Sequence, residues 1–347
     1  LLGRIALDRF AALLQQLERE QPEGAERAEL VARIDRERKA AQQAFTRAAA
    51  LDPSRAHPYV ALSQVAWLDG RRDEARAHLL RALAIDPDVR ADHGQLTDGM
   101  TPAQRIELYR DLRKRYEGTT NARPEKVATL WFFEGRAAYD AKDWQTAREC
   151  FRRTETLNPA ASSALYYHFF CAYQLDDHDD AEARAAEFAA VSAPAFADLL
   201  RAQPPEPRAQ IAAMIQWLAD RAWQQGHVEH SRDLNHVIAC LKDSADAWNN
   251  HAFLCRETGR FDEAFTSYEY ALQREPESPQ LWNDAAVILQ HHLPTPANLQ
   301  KARGMYEKAL ELARKVLASP DSSERARQFA TQAQADAQAN LAELPAR

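Results

Sequence analysis

The chain has 347 residues, 46% hydrophobic and 27% charged, with 67 Ala against only 10 Gly. An excess of the best helix former over one of the worst points to helices, and no run approaches the roughly 18 consecutive apolar residues of a membrane span. A net charge of −7 argues against a general nucleic-acid binder, and four Cys are too few for a disulfide-framework fold.

The sequence opens Leu1-Leu2-Gly3-Arg4 with no Met, the expected mark of a removed leader or an excised segment. Residues 1–17 are not a signal peptide, because Arg4, Asp8 and Arg9 interrupt the apolar run. They are expected to form an amphipathic helix with Phe10, Leu13, Leu14 and Leu17 on one face. The bias of 36 Arg over 8 Lys, with the high Ala, suggests a bacterial origin.

A spacing then recurs along the chain. From Trp248, residues Gly259, Ala264, Tyr268, Ala271 and Pro276 follow at offsets of 11, 16, 20, 23 and 28. Tyr59 is followed at the same offsets by Gly70, Ala75, Leu79, Ala82 and Pro87, and Trp131 by Lys142, Ala147, Phe151, Thr154 and Pro159. The last four positions recur as Ala41, Phe45, Ala48 and Pro53. Each unit reads as a first helix with a large anchor, a turn, and a second helix that packs small Ala against the first. Pro stops the second helix because it lacks the N–H and clashes with the preceding turn. Between 88 and 127 the repeat lapses into a polar loop and one helix, capped by Thr101 with Pro102 at its first position and running to about Glu117. Residues 194–210 are expected to hold a short helix and a break at Pro204-Pro205-Glu206-Pro207. The unit after Trp282 matches Ala302, Tyr306 and Ala309 only after a four-residue insertion around His291–Asn298, with His291-His292 read as an exposed loop. Ser322 or Ser323 is expected to cap a last helix over 323–343, giving the array a polar outer face.

This spacing resembles the tetratricopeptide repeat family, whose unit is about 34 residues. Trp131 to Leu165 and Trp248 to Trp282 are each 34 residues, and Ile215 to Trp248 is 33. Gly135, four residues after Trp131, fits the family pattern, whereas the units anchored at Leu165 and Ile215 depart from it: in the latter, Ser231 and Asn235 stand at the small and aromatic positions. The resemblance covers 39–87 and 128–315. It implies an all-α, right-handed α-α superhelix of about seven helix-turn-helix units with a C-terminal capping helix. The expected organisation is N-terminal helices and two units over 1–100, an inserted helix and linker over 101–127, five units over 128–320, and the cap over 321–347.

In this family the first helices line a concave surface. Positions one, five and eight after each anchor share a helix face. They are Val60, Gln64 and Trp67; Phe132, Arg136 and Tyr139; Tyr166, Phe170 and Tyr173; Gln216, Asp220 and Trp223; Asn249, Phe253 and Arg256; and Asn283, Val287 and Gln290. Eight of these eighteen are aromatic against 9% in the whole chain, which predicts a groove for a partner peptide or helix. The groove residues expected to touch a partner are Trp67, Phe132, Arg136, Tyr139, Tyr166, Phe170, Tyr173, Asp220, Trp223, Asn249, Phe253 and Arg256. The same rings are alternatively inter-repeat packing. Asn249 and Arg256 also resemble the Asn and basic residues with which some family members hold a C-terminal carboxylate, although the neighbouring units carry no Lys on the stripe.

Other constellations point elsewhere. His236 and Cys240, four apart on a helix, with His227 and His230 at the preceding turn, have zinc-ligand chemistry, against a solvated turn with one buried His. Cys150 and Cys171 fall on adjacent helices at compatible heights and pair if the chain is exported; otherwise they are small buried hydrophobes. The run Asp176-Asp177-His178-Asp179-Asp180 lacks the Gly and terminal Glu of an EF-hand and reads as a solvated turn. No phosphate-binding Gly-rich loop, nucleophile elbow or His-Glu-x-x-His is present.

The sequence therefore predicts a non-enzymatic scaffold or adaptor that binds a protein or peptide, with no cofactor, no metal and no nucleic acid. The alternative is a regulatory or substrate-recruiting segment of a larger bacterial enzyme such as a kinase. A monomer or weak homo-oligomer is expected, and a cytoplasmic setting is slightly favoured over a periplasmic one.

Overall fold

The computed structural model describes residues 2–345. They contain helices and no strand. The chain divides into two compact units, one through Leu175 and one from Asp176, so the division falls inside the stretch 128–320.

The first unit is built from α1 (Leu2–Glu20), α2 (Gly24–Leu51), α3 (His57–Leu68), α4 (Arg72–Ile85), α5 (His93–Thr97), α6 (Pro102–Glu117), α7 (Pro124–Asp140), α8 (Trp144–Leu157) and α9 (Ser162–Gln174). Successive helices pack as hairpins: α1 on α2, α3 on α4, α6 on α7 and α7 on α8. Phe10 and Leu13 of α1 are buried with Leu30, Ile34 and Ala41 of α2, as the amphipathic pattern predicts. Thr101 and Gln104 form a reciprocal capping box at the start of α6. The polar loop before it holds one element that the sequence analysis passed over. Asp92 accepts from the amides of Gly94 and Gln95 and starts α5, whose Leu96 is fully buried.

The second unit comprises α10 (His178–Arg201), α11 (Pro205–Gln224), α12 (Val228–Lys242), α13 (Ala245–Glu257), α14 (Phe261–Arg274), α15 (Pro279–Val287), a π-helical turn over Ile288–His292, α16 (Pro296–Ala318) and α17 (Glu324–Glu343). Helix α10 packs on α12, α13 on α14, α15 on α16, and α17 on both α15 and α16. The short helix expected from 194 is present: α10 is interrupted at the extended Ser192 (φ −166°, ψ 92°), and a separate helical segment runs from there to Arg201, ahead of the break at Pro204-Pro205. The Ser192 hydroxyl accepts from the Ala195 amide and so caps the segment containing Pro194, which has no N–H to offer. His291-His292 is no loop. It lies in the π-turn, with the His292 ring stacked on Phe261 at 4.1 Å.

The repeat spacing has a backbone cause at two places. Eleven residues after each anchor, Gly70, Lys142, Asp176, Gly226 and Gly259 all have left-handed φ, from 57° to 79°. At Lys142 the next amide, of Asp143, reaches back to the Ala138 carbonyl (2.9 Å), closing the helix end as its counterparts do after Gly70, Gly226 and Gly259. A side chain in this conformation costs about 1 kcal/mol that Gly avoids. Lys142→Gly should therefore raise stability by about 0.5–1 kcal/mol, seen as a higher urea midpoint; an unchanged or lower midpoint would contradict this account. At the other end, Asp52, Asp86, Asn158 and Glu275 all precede Pro, and all leave the helix with φ between −145° and −135°. A following Pro pushes its predecessor out of the helical region.

Small residues set the helix spacing. Ala75, Ala147 and Ala264 are at most 1% exposed, with Leu79, Phe151 and Tyr268 filling the space beside them. At Gly135 a Cβ would stand 2.9 Å from both Cys150 Cβ and a Phe151 ring carbon, so α7 and α8 touch through its missing side chain.

Candidate partner-binding groove

The eighteen stripe positions divide between the two units. In the first unit most of their rings are already engaged. Trp67 lies under the Arg72 guanidinium (3.5 Å). Phe132 packs edge-on to Phe151 (5.7 Å) and Tyr167 (5.8 Å), and Tyr139 packs against Trp144, Tyr167 and Phe170. Tyr166 is buried, edge-on to Tyr167 and Phe169. Phe170 and Tyr173 are half-buried. Arg136 lies 4.4 Å over the Tyr167 ring, and its buried Nε finds no hydrogen-bond partner among the described residues. Burial raises the Tyr166 hydroxyl to about 12 and raises that of Tyr139 further. These phenols are neutral donors at physiological pH.

The second unit leaves its stripe more open. Gln216, Asp220 and Trp223 of α11 face Asn250 and Phe253 of α13 across a cavity of about 350 Å³. Trp223 is 44% exposed and meets Phe253 edge-on at 5.7 Å. Arg256 lies 5.1 Å over the same Phe253 ring and pairs with Glu257. Asp220 accepts from Gln216 Nε2 (3.1 Å). Asn249 does not join them. It lines a second cavity of about 470 Å³ between α13, α15 and the exposed Phe329 of α17.

The last stripe is already occupied by the chain itself. Asn283 and Gln290 are buried beneath α17. Asn283 Oδ1 accepts from the Asn340 side chain (3.3 Å), and Gln290 Nε2 donates to the Asn340 carbonyl (3.2 Å). Gln290 Oε1 in turn accepts from the Tyr306 hydroxyl (2.6 Å). The seam that α17 lays down is Ala330, Ala333 and Ala337, all buried.

The residues with metal-ligand chemistry fall out differently from their sequence clustering. His236 and Cys240 do not meet His227 and His230. His236 stacks on the buried His251 at 4.3 Å, and the Cys240 carbonyl accepts from Arg201. His227 and His230 instead converge on Glu182 of α10, whose side chain is 2% exposed. Burial works against ionisation of Glu182, but hydrogen bonds from His230, His227 and Arg221 outweigh it and hold the carboxyl below its usual range. Glu182 escaped the sequence analysis because it stands 45 residues before His227, inside an Ala-rich helix. Cys150 and Cys171 are buried free thiols, not a disulfide. Burial pushes each up to about 12, so neither is a reactive thiolate. The acidic run at 176–180 divides its work: Asp177 caps α10 by accepting from the Asp180 amide, and Asp179 pairs with Arg221.

Comparison with known proteins adds the following. Residues 56–89 and 245–278 each match the family model described as tetratricopeptide repeat. No curated protein sequence matches the chain. Similar solved structures include the MamA protein, at 15% identity over 56% of this chain and 96% of that one, with a TM-score of 0.28. Another is the TPR2AB-domain:pHSP90 complex of yeast Sti1, at 13% identity over 97% of this chain and 99% of that one, with a TM-score of 0.33. A third is YrrB, described as a TPR protein with an unusual peptide-binding site, at 14% identity over 85% and 100%, with a TM-score of 0.21.

Proposed function

We propose that this chain, with tetratricopeptide repeats at 56–89 and 245–278, is a protein-interaction module with no chemistry of its own, and that the face shared by α11 and α13 receives a helix or extended segment of a partner protein. The observation that carries this reading is Trp223. A large ring 44% exposed, braced edge-on by Phe253 and ringed by Gln216, Asp220 and Asn250, offers apolar area with polar groups to orient an occupant. Completing its burial is worth about 1 kcal/mol or more. The helix mode has an internal precedent. Equivalent positions on α15 and the π-turn already hold α17 through a small-residue seam and two hydrogen bonds, one accepted by Asn283 Oδ1 from the Asn340 side chain and one donated by Gln290 Nε2 to the Asn340 carbonyl.

The test is partner capture by the full chain, followed by affinity measurement on the double variant W223A/F253A. Both rings are partly solvent-facing, so the fold should survive, checked by circular dichroism. Affinity should fall at least about tenfold, as for interface hot spots. Equal affinity of variant and wild type would remove this face from consideration. Tyr166 is unsuitable for such a test, because its burial makes any substitution a stability change.

A further inference from the structure

We propose that Glu182, His227 and His230 form a binding site for a divalent transition-metal ion, with zinc as the probe, that ties α10 to the turn before α12. Three features carry it. First, the donor atoms converge from separate elements. His227 is the residue capping α12 and His230 lies in its first turn, whereas Glu182 comes from α10. His227 Nδ1 and His230 Nδ1 stand 2.7 Å and 3.0 Å from the same oxygen, Glu182 Oε1, and all three ligand atoms lie within 4.8 Å of one another. Ligand atoms about 2.0–2.1 Å from a tetrahedral zinc stand roughly 3.4 Å apart. The two nitrogen–oxygen separations therefore need to lengthen by less than about 1 Å, and both imidazoles are about half exposed.

Second, the carboxylate is fixed and charged. Its other oxygen, Glu182 Oε2, accepts from Arg221 at 2.7 Å, and Arg221 also pairs with the exposed Asp179. Arg221 thereby orients the ligand from outside the coordination shell, as partners of metal-bound carboxylates do.

Third, the donor set selects the ion. Two nitrogens and one oxygen suit zinc and its neighbours, whereas calcium and magnesium select all-oxygen sets. Solvent at the exposed side supplies the remaining position.

The experiment uses tag-free full-length protein stripped with chelator, then titrated with zinc against a chromophoric competitor. We expect one equivalent per chain, and X-ray absorption showing nitrogen and oxygen neighbours at about 2.0–2.1 Å with no sulfur at about 2.3 Å. The double variant H227Q/H230Q, altered only at partly exposed side chains, should lose more affinity than the roughly 10- to 100-fold that outer-shell changes cause. E182Q, which keeps the shape and removes the charge, should lose as much. Failure of the wild-type chain to compete for zinc, a sulfur shell from the cysteines, or undiminished binding by H227Q/H230Q would each overturn the proposal.

Discussion

Replacing Glu134 by alanine should cost about 3–5 kcal/mol, because it strips a buried ion pair of one partner. Glu134 is 2% exposed on α7. Its Oε1 accepts from Arg110 Nε at 2.8 Å and its Oε2 from Arg113 Nε at 3.0 Å. Arg113 is itself buried, 3.4 Å over the Trp131 ring, and completes its bonding with Glu117 on its own helix. Without Glu134 the Arg113 charge stays in place with its principal counter-charge gone, and desolvation that was compensated becomes a net cost. The half-exposed Arg110 can turn to water, so Arg113 carries the penalty. Amide hydrogen exchange would read this directly: protection in α6 and α7 should collapse first, while the second unit keeps its own. Pairing E134L with R113M, which removes both buried charges, should recover much of the loss. If E134A left protection in α6 and α7 intact, the ion pair would be a passenger on helix packing that stands without it.

Acidification should weaken the second unit through His251. Burial holds this imidazole neutral down to about pH 3, with the neighbouring His236 and Arg232 adding to the effect. It hydrogen-bonds with Ser267 (2.9 Å) on α14, contacts Cys255 on its own helix, and stacks on His236 of α12. The native pKa lies below the unfolded value of about 6.5, so the unfolded state binds the extra proton. The contribution is complete above pH 6.5 and is lost progressively as the pH falls towards 3. Each pH unit costs about 1.4 kcal/mol until the native group itself begins to protonate, so the loss is about 2 kcal/mol by pH 5 and about 4 kcal/mol by pH 3. H251Q keeps a hydrogen-bonding group for Ser267 but has nothing to titrate. Its urea midpoint should start lower than wild type at pH 7 and fall less steeply between pH 7 and 5. Parallel slopes would show that other groups set the acid sensitivity. His236, also depressed by burial, remains in the variant and gives it a residual slope.

Both predictions rest on contacts that the sequence hides, and the reason is the same in each. The repeat spacing encodes contacts made between residues at fixed offsets, so the turns at Gly70, Gly226 and Gly259, the Pro stops and the Ala seams were all legible. The cap at Thr101 and the last helix from Ser323 were legible too, because capping chemistry is local. Glu134 meets arginines 21 and 24 residues upstream on α6, a helix outside the repeat, and no periodicity links them. Glu182 meets its histidines across 45 and 48 residues for the same reason. The stripe is an intermediate case. Helical geometry brings Gln216, Asp220, Trp223 and Phe253 to one cavity as read from the chain, yet the same rule names Tyr166, which is buried, and Gln290, which lies beneath α17. Periodicity shows which residues share a face. It does not show whether another part of the chain covers it.

The π-turn at Ile288–His292 has a consequence for chain length. Between Trp282 and Ala302 there are 20 residues, where the unit at Trp248 uses 16 to reach Ala264. An extra residue in an ordinary helix turns everything beyond it by about 100°. Here the Leu293 amide reaches back five residues to Ile288, so one surplus residue swells a single turn, and the other three lengthen the start of α16, which runs six residues from Pro296 to Ala302 where α14 runs three from Phe261 to Ala264. Upstream, Leu281 and Ala285 keep their buried faces, and downstream Ala302 and Tyr306 still meet the core. The swollen turn works as a shim that takes up one residue where it arises. A helix so equipped can gain one residue while the buried faces on either side of it keep their phase.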